Sequence, residues 1–243
     1  MNGGRILVTG ASRGLGLAIT KRLLAQQNTV FAVSRTISDS LKELRHQYKD
    51  FLHTKEIDLA APDSAAETVI SEFVGYDTAL TGFVNNAATA YDDLVTNVKR
   101  EPLEQMFQIN VFTPILLTRA IIRNFLTHKT QGSIVHISSI SVHTGYKGLA
   151  MYAASKGALE AFSKNTAREW GERKIRSNAV VCGFMETGMS ASLTDEQKGS
   201  IYRRTALKQA TSPDSVASTV DYLLSAESHS ITGQSIHVDS GTI

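Results

Sequence analysis

The sequence has one cysteine, Cys182, in 243 residues, so no disulfide can form within the chain and a reducing compartment is expected. A lone thiol also gives no reason to expect a catalytic cysteine. No uninterrupted apolar run approaches the roughly 18 to 20 residues of a membrane span. Excess charge is missing as well: 25 lysines and arginines face 23 aspartates and glutamates, a formal net charge of +2. That balance is too mild for a nucleic-acid partner, which calls for a dense basic face, and it leaves any acidic partner to a local patch. The histidines lack metal-ligand spacing, so no metal is expected. Acidic residues are absent before Asp39, whereas Arg5, Arg13, Lys21, Arg22 and Arg35 precede it. This faintly fits an organelle-targeting segment. A strand-like run at Arg5–Thr9 nevertheless starts too early to leave room for a removable leader, so the expected location is the cytoplasm, or the mitochondrial matrix of a eukaryote.

Hydrophobic residues make up 42% and charged residues 20%, ordinary globular usage at a length that suits one domain. Short β-branched or apolar runs stand at Arg5–Thr9, Thr29–Ser34, 51–57, 81–85, 133–138, 175–181 and Ser235–Val238. They alternate with amphipathic stretches at 15–27, 64–74, 103–128, 151–171 and 215–225. This is the pattern of βαβ units, and it predicts an α/β, doubly wound, parallel seven-stranded sheet with helices on both faces. No repeat, low-complexity segment or linker divides residues 1–243, so a single domain is expected. The irregular stretch 183–211 follows the sixth strand and carries Gly183, Gly188 and Gly199. It is a candidate substrate lid, because loops at the carboxyl ends of such strands surround the ligand.

Thr9-Gly10-Ala11-Ser12-Arg13-Gly14-Leu15-Gly16 directly follows the first strand and opens the first helix. Glycines there allow a tight turn and close approach of a pyrophosphate to the helix N-terminus, where unpaired N–H groups and the helix dipole favour an anion. Taken alone, the turn is equally compatible with a purely structural role. Together with Asn85-Asn86-Ala87-Ala88 and Tyr152-Ala153-Ala154-Ser155-Lys156, however, it resembles the short-chain dehydrogenases/reductases. The resemblance covers essentially the whole chain, down to the closing run from Ile231 to Gly241, and implies a Rossmann-type nucleotide-binding fold and carbonyl/alcohol oxidoreduction. Three departures stand out: Ala88 and Ser240 occupy positions where glycine is usual, and Cys182 one where proline is usual. Loss of the proline predicts a more mobile lid entrance.

The cofactor can be argued from charge. NAD sites usually carry a carboxylate at the end of the second strand; here the strand ends Ser34-Arg35-Thr36, with no acid until Asp39. Ser34 can hydrogen-bond a 2′-phosphate, Arg35 can grip it, and Arg13 can approach it from the glycine turn. The plain alternative is that both arginines are solvated. NADPH/NADP+ is expected, held by Gly10, Ser12, Arg13, Gly14, Leu15, Gly16, Ser34 and Arg35. The resemblance adds Asp58 beside the adenine and Asn85 along the channel, although Asp58 also suits a strand-end turn.

Tyr152 and Lys156 lie four residues apart and share one helical face. Reduction of a ketone needs a proton on oxygen, and an ammonium about 4 Å away would favour phenolate by about 4 kcal/mol, pulling Tyr152 towards pH 7 as proton donor. Such pairs are common on helices, and it is the surrounding motifs that make this one a catalytic candidate. The resemblance implies that Lys156 also binds the nicotinamide ribose, and that Ser139, rather than its neighbours Ser138 and Ser141, orients the carbonyl. It likewise implies that Asn110 holds a water relaying protons to the lysine; read alone, Asn110 suits a polar or kink position in a helix.

Within the family the chain looks most similar to 3-oxoacyl-[acyl-carrier-protein] reductases, which implies a 3-oxoacyl thioester substrate, fatty acid synthesis and a homotetramer built on two long central helices. The resemblance implies that Arg173 matches a carrier-contact arginine and that Lys129 lies within a residue of another, so both would flank the site mouth and steer an acidic carrier; cations at helix ends need no partner, however. Reduction of small ketones, aldehydes or sugars is the alternative, and an idle binding protein the third reading. Intact Ser139, Tyr152 and Lys156 argue against the last.

Overall fold

The computed structural model describes residues 3–188 and 193–242. The chain runs β1 (Arg5–Thr9), α1 (Gly14–Ala25), β2 (Thr29–Ser34), α2 (Asp39–Tyr48), β3 (Leu52–Glu56), α3 (Pro62–Thr68), β4 (Gly82–Asn85), α4 (Arg100–Phe107), α5 (Thr113–Thr127), β5 (Ser133–Ser139), α6 (Ser141–Thr144), α7 (Ala150–Trp170), β6 (Arg176–Cys182), α8 (Asp195–Arg204), α9 (Pro213–Leu224) and β7 (Ser235–Val238). One sheet orders the strands β3-β2-β1-β4-β5-β6-β7, and every pairing is parallel.

Apolar runs become interior strands because both faces of such a sheet are covered. Successive side chains divide between two cores. Ile6 and Val8 pack with Leu15, Ile19, Val216 and Val220, from α1 and α9. Leu7 points the other way, into Phe83, Leu117, Ile121 and Phe125, on the side of α5. Strand order reverses between β1 and β4, and in open α/β sheets the ligand crevice lies at that switch, outside the carboxyl ends of the strands.

The seven predicted strands form. Among the described residues three helices lie outside the stretches read from the sequence: α2 and α8, both short and strongly polar, and the four-residue α6. The α4–α5 unit, residues 100–127, is long and apolar enough in composition to cross a membrane, yet more than half of its most apolar window is buried in the protein, because its apolar stripe packs on the sheet. At Cys182, where a proline is usual, the strand continues. Its free N–H and φ let β6 run on, paired with Ser139 on one side and Val238 on the other, and its carbonyl accepts from Ile140 N at 2.9 Å. Ser240 adopts φ 58°, a left-handed conformation that suits the glycine it replaces.

Candidate functional site

The glycine turn sits at the carboxyl end of β1. Gly10 has φ 69°, and a Cβ on Gly16 would lie 2.0 Å from the Gly10 carbonyl oxygen, so the first helical turn can approach the strand end only without a side chain. Asn86 clasps the turn: its Nδ2 donates to the carbonyls of Thr9 (3.0 Å) and Gly10 (3.1 Å). Thr9 Oγ1 in turn accepts from the backbone N–H groups of Asn86 and Ala87, both at 3.1 Å. Ser12, Arg13, Gly14 and Leu15 lead into α1, whose first turn has no acidic residue. An anion at this helix start therefore meets no carboxylate from α1.

Arg13 and Arg35 are exposed, and among the described residues neither joins an ion pair. Ser34, which precedes Arg35 at the end of β2, is buried, with an Oγ that has no hydrogen-bond partner among the described residues. Glu56 approaches the same rim, its carboxylate accepting from Ile37 N at 2.9 Å, an acid the sequence reading missed because it belongs to the next strand. Asp58 is exposed and caps its own turn by accepting from Ala60 N at 3.0 Å. The structure does not bring the Asn85 side chain to the channel: it is buried, with Nδ2 3.3 Å from His136 Nδ1. The clasping residue of the pair is Asn86.

Tyr152 and Lys156 project from the first turns of α7. Lys156 is buried, and its Nζ donates to the Ile137 carbonyl of β5 at 2.8 Å, two residues before Ser139. The ammonium stands 5.8 Å from the centre of the Tyr152 ring. Burial pushes Lys156 down to about 8, with Cys182 acting weakly in the other direction. Tyr152 is pushed above its ordinary value, first by burial and then by Cys182 and Asp92. Desolvation of the anion thus opposes the expected fall of the phenol towards pH 7. Cys182, buried, is raised to about 12 and is inert as a nucleophile. Asp92, itself raised by burial, is a further group near the phenol; it belongs to no motif and left no signal in the sequence.

Strand alternation separates the serines. Ser138 is buried and donates to Glu160 Oε1, whereas Ser139 Oγ accepts from Ser141 N at 3.2 Å and from Ser141 Oγ at 3.0 Å. Asn110 lies in a π-helical turn, Gln108–Phe112, between α4 and α5, a distortion frequent at functional sites. Its amide bonds both backbone groups of Thr89 (2.9 and 2.8 Å) and donates to Ser155 Oγ at 3.0 Å, so the side chain clamps the 89 loop beside the neighbour of Lys156.

In the candidate lid, 183–211, residues 189–192 lie outside the described residues. Glu186 accepts from Tyr202 and from Lys198 (3.4 Å), which ties α8 to the end of β6, and Arg204 lies 5.1 Å over the Tyr146 ring, just ahead of α7. The lid thus reaches the loop that leads to Tyr152.

Lys129 and Arg173 are misplaced by the sequence reading. Both are exposed, but Lys129 follows α5 and Arg173 follows α7, shortly before β5 and β6 begin at Ser133 and Arg176. A seven-residue strand separates that edge from Ser139 by about 20 Å. They therefore cannot flank this chain's own cleft, which opens at the opposite ends of the same strands.

Comparison with known proteins agrees with this geometry. A family profile described as enoyl-(acyl carrier protein) reductase matches residues 10–242. The 3-oxoacyl-[acyl-carrier-protein] reductase FabG of Vibrio cholerae is 32% identical over 238 residues, covering 97% of this chain and 95% of that protein. Its counterpart from Rickettsia bellii is 33% identical over 243 residues, covering 100% and 98%. The solved structure of a protein assigned as a NAD(P)-dependent gluconate 5-dehydrogenase from Beutenbergia cavernae, holding NADP at low occupancy, superposes with a TM-score of 0.91 at 28% identity, covering 100% of this chain and 97% of that one. The chain belongs to the short-chain dehydrogenase/reductase family of NAD(P)-dependent oxidoreductases.

Proposed function

We propose that this protein reduces a 3-oxoacyl thioester, carried on acyl carrier protein, to the 3-hydroxyacyl form with NADPH, as a step of fatty acid synthesis. The observation that carries the reading is the buried Lys156 ammonium beside the Tyr152 ring, held by the Ile137 carbonyl at the end of β5. NADPH fits the residues present: a glycine cradle that any Cβ on Gly16 would fill, a helix start without acid, the unpartnered Ser34 Oγ, and two unpaired arginines on the rim. The cofactor supplies a hydride to the carbonyl carbon. Tyr152 donates its proton to the carbonyl oxygen, Ser139 holds that oxygen, and Lys156 stabilises the phenolate left behind. Asn110 fixes the loop beside Lys156 and is the candidate holder of the water that returns a proton. Ser12, Arg13, Gly14 and Leu15 would meet the cofactor phosphates, with Asp58 beyond them at the adenine.

The thioester assignment draws on the relatives of about 33% identity that carry that name. Small ketones or sugars are the second reading, favoured by the gluconate 5-dehydrogenase likeness. Acetoacetyl-N-acetylcysteamine, acetoacetyl carrier protein, free ketones and sugars, assayed side by side for NADPH oxidation, separate the two. The highest kcat/KM on the carrier-bound thioester is expected, and the highest value on a sugar or free ketone would replace the proposal with the second reading. A homotetramer built on the two long central helices, the α4–α5 unit and α7, belongs to the same reading. Carrier docking through Lys129 and Arg173 of the same chain does not.

Arg35→Asp is expected to weaken NADPH binding at least tenfold more than NADH binding, since a carboxylate would replace a charge-assisted contact to the 2′-phosphate. Direct binding measurements check this, and an equal loss for both cofactors would remove Arg35 from the phosphate site.

A further inference from the structure

We infer that Glu160 is a positioning residue for the reaction, holding Ser139 in register with Tyr152 and Lys156. Glu160 lies on α7 eight residues after Tyr152 and four after Lys156, so the three share one helical face. Its carboxylate is almost enclosed, with 11% of the side chain exposed, and it gathers three other segments. Ser138 of β5 donates to Oε1. His143 of α6 donates through Nε2 to both oxygens, at 3.2 and 3.1 Å, and Ser235 of β7 donates to Oε2 at 3.0 Å.

The geometry gives this node its meaning. Ser138 immediately precedes Ser139 and His143 follows it by four residues, so Glu160 grips the chain on both sides of the serine. Among the described residues, the hydrogen bonds of Ser139 Oγ are to Ser141, two residues on. Along α7 the helix is fastened to the sheet at successive turns: Lys156 to the Ile137 carbonyl, Glu160 to Ser138, and Ser163 to Ser177 at 2.8 Å. The middle fastening is the one adjacent to Ser139. A carboxylate with so little access to water is retained only when its acceptors are filled, as they are here. Glu160 does not touch substrate or cofactor on this reading; it acts through the backbone of Ser139. A displacement of about 1 Å at a reacting group can cost a hundredfold in rate.

The inference rests on the assignment of Ser139 to the substrate carbonyl, and its test keeps the two apart. With acetoacetyl-N-acetylcysteamine and NADPH, Glu160→Ala is expected to lower kcat about tenfold or more while KM and NADPH affinity change little, because alignment rather than binding is lost. Glu160→Gln, which keeps a carbonyl oxygen as acceptor for Ser138 and can donate its amide to the tautomer of His143 protonated on Nδ1, is expected to restore most of the rate. Ser138→Ala removes the same fastening from the strand side and should reproduce the loss, deciding the matter if Glu160→Ala does not fold. In a Ser139→Ala background, Glu160→Ala and Ser138→Ala should cost almost nothing further, since residues acting through one group are non-additive. An unchanged kcat in Ser138→Ala and Glu160→Ala, or an equal loss with and without Ser139, would overturn the inference. If Ser139→Ala alone left turnover intact, the failure would lie with the assignment of Ser139.

Discussion

Replacing Tyr152 with phenylalanine is expected to lower kcat for an acetoacetyl thioester by about 10²- to 10⁴-fold, the usual worth of a positioned general acid. NADPH affinity should stay nearly unchanged, because the ring remains and only the hydroxyl leaves. The structure sharpens the reason. Burial holds the phenol above its ordinary range, so Tyr152 stays protonated throughout the neutral region and is ready to give a proton when hydride reaches the carbonyl carbon. The raised value would be a handicap for a group that had to act as a base from the outset, so carbonyl reduction is the direction for which the resting site is prepared. Single-turnover kinetics beside direct NADPH titration checks this. Near-normal turnover in Tyr152→Phe, under conditions where chemistry limits the rate, would remove the proposed acid.

Much of this architecture was legible because it follows from repeating local rules. The strands were readable as β-branched runs buried on both faces, and the glycine turn because Gly10 requires φ 69° and Gly16 leaves no room for a Cβ. What escaped depended on contacts distant in sequence. Glu160 reads as an ordinary helical glutamate until Ser138, His143 and Ser235 converge on it. Glu56 reads as a strand-end acid until the turn after β2 folds over it. In the Asn85-Asn86 pair, strand alternation sends the first amide to His136 and leaves the second to hold the glycine turn, a choice composition does not reveal. Lys129 and Arg173 show the converse error: residues matched by position were assumed to face the mouth, whereas a helix that returns a chain to the next parallel strand must end at the opposite edge of the sheet. For the phenol, a Coulomb argument at fixed distance omits desolvation, which the sequence alone does not specify.

Lys156→Met is expected to make the protein more stable at neutral pH while lowering turnover by about a hundredfold or more. The lysine is held at about 8 when folded, against an ordinary 10.5. Below pH 8 it is charged in both the folded and unfolded chain, so the penalty of burying the charge is fully present, roughly 3 kcal/mol at 1.36 kcal/mol per pH unit. Between about pH 8 and 10.5 the folded chain has released this proton and the unfolded chain still holds it, so stability rises with pH across that window. Methionine carries no charge to desolvate. It forfeits the ammonium's bond to the Ile137 carbonyl, worth about 1.5 kcal/mol because the donor is charged, which leaves a net gain of about 1 to 2 kcal/mol at pH 7 that shrinks towards pH 10.5. Turnover has the opposite sign. The ammonium must be present to stabilise phenolate, so the reduction rate of the unsubstituted protein should fall as pH rises through about 8, and that step should be missing from the residual activity of Lys156→Met. Urea denaturation at pH 7, 9 and 10.5, read beside kcat over the same range, tests both halves. A Met variant that was less stable at pH 7 and tracked the parent across the window would show that the buried ammonium carries no such penalty.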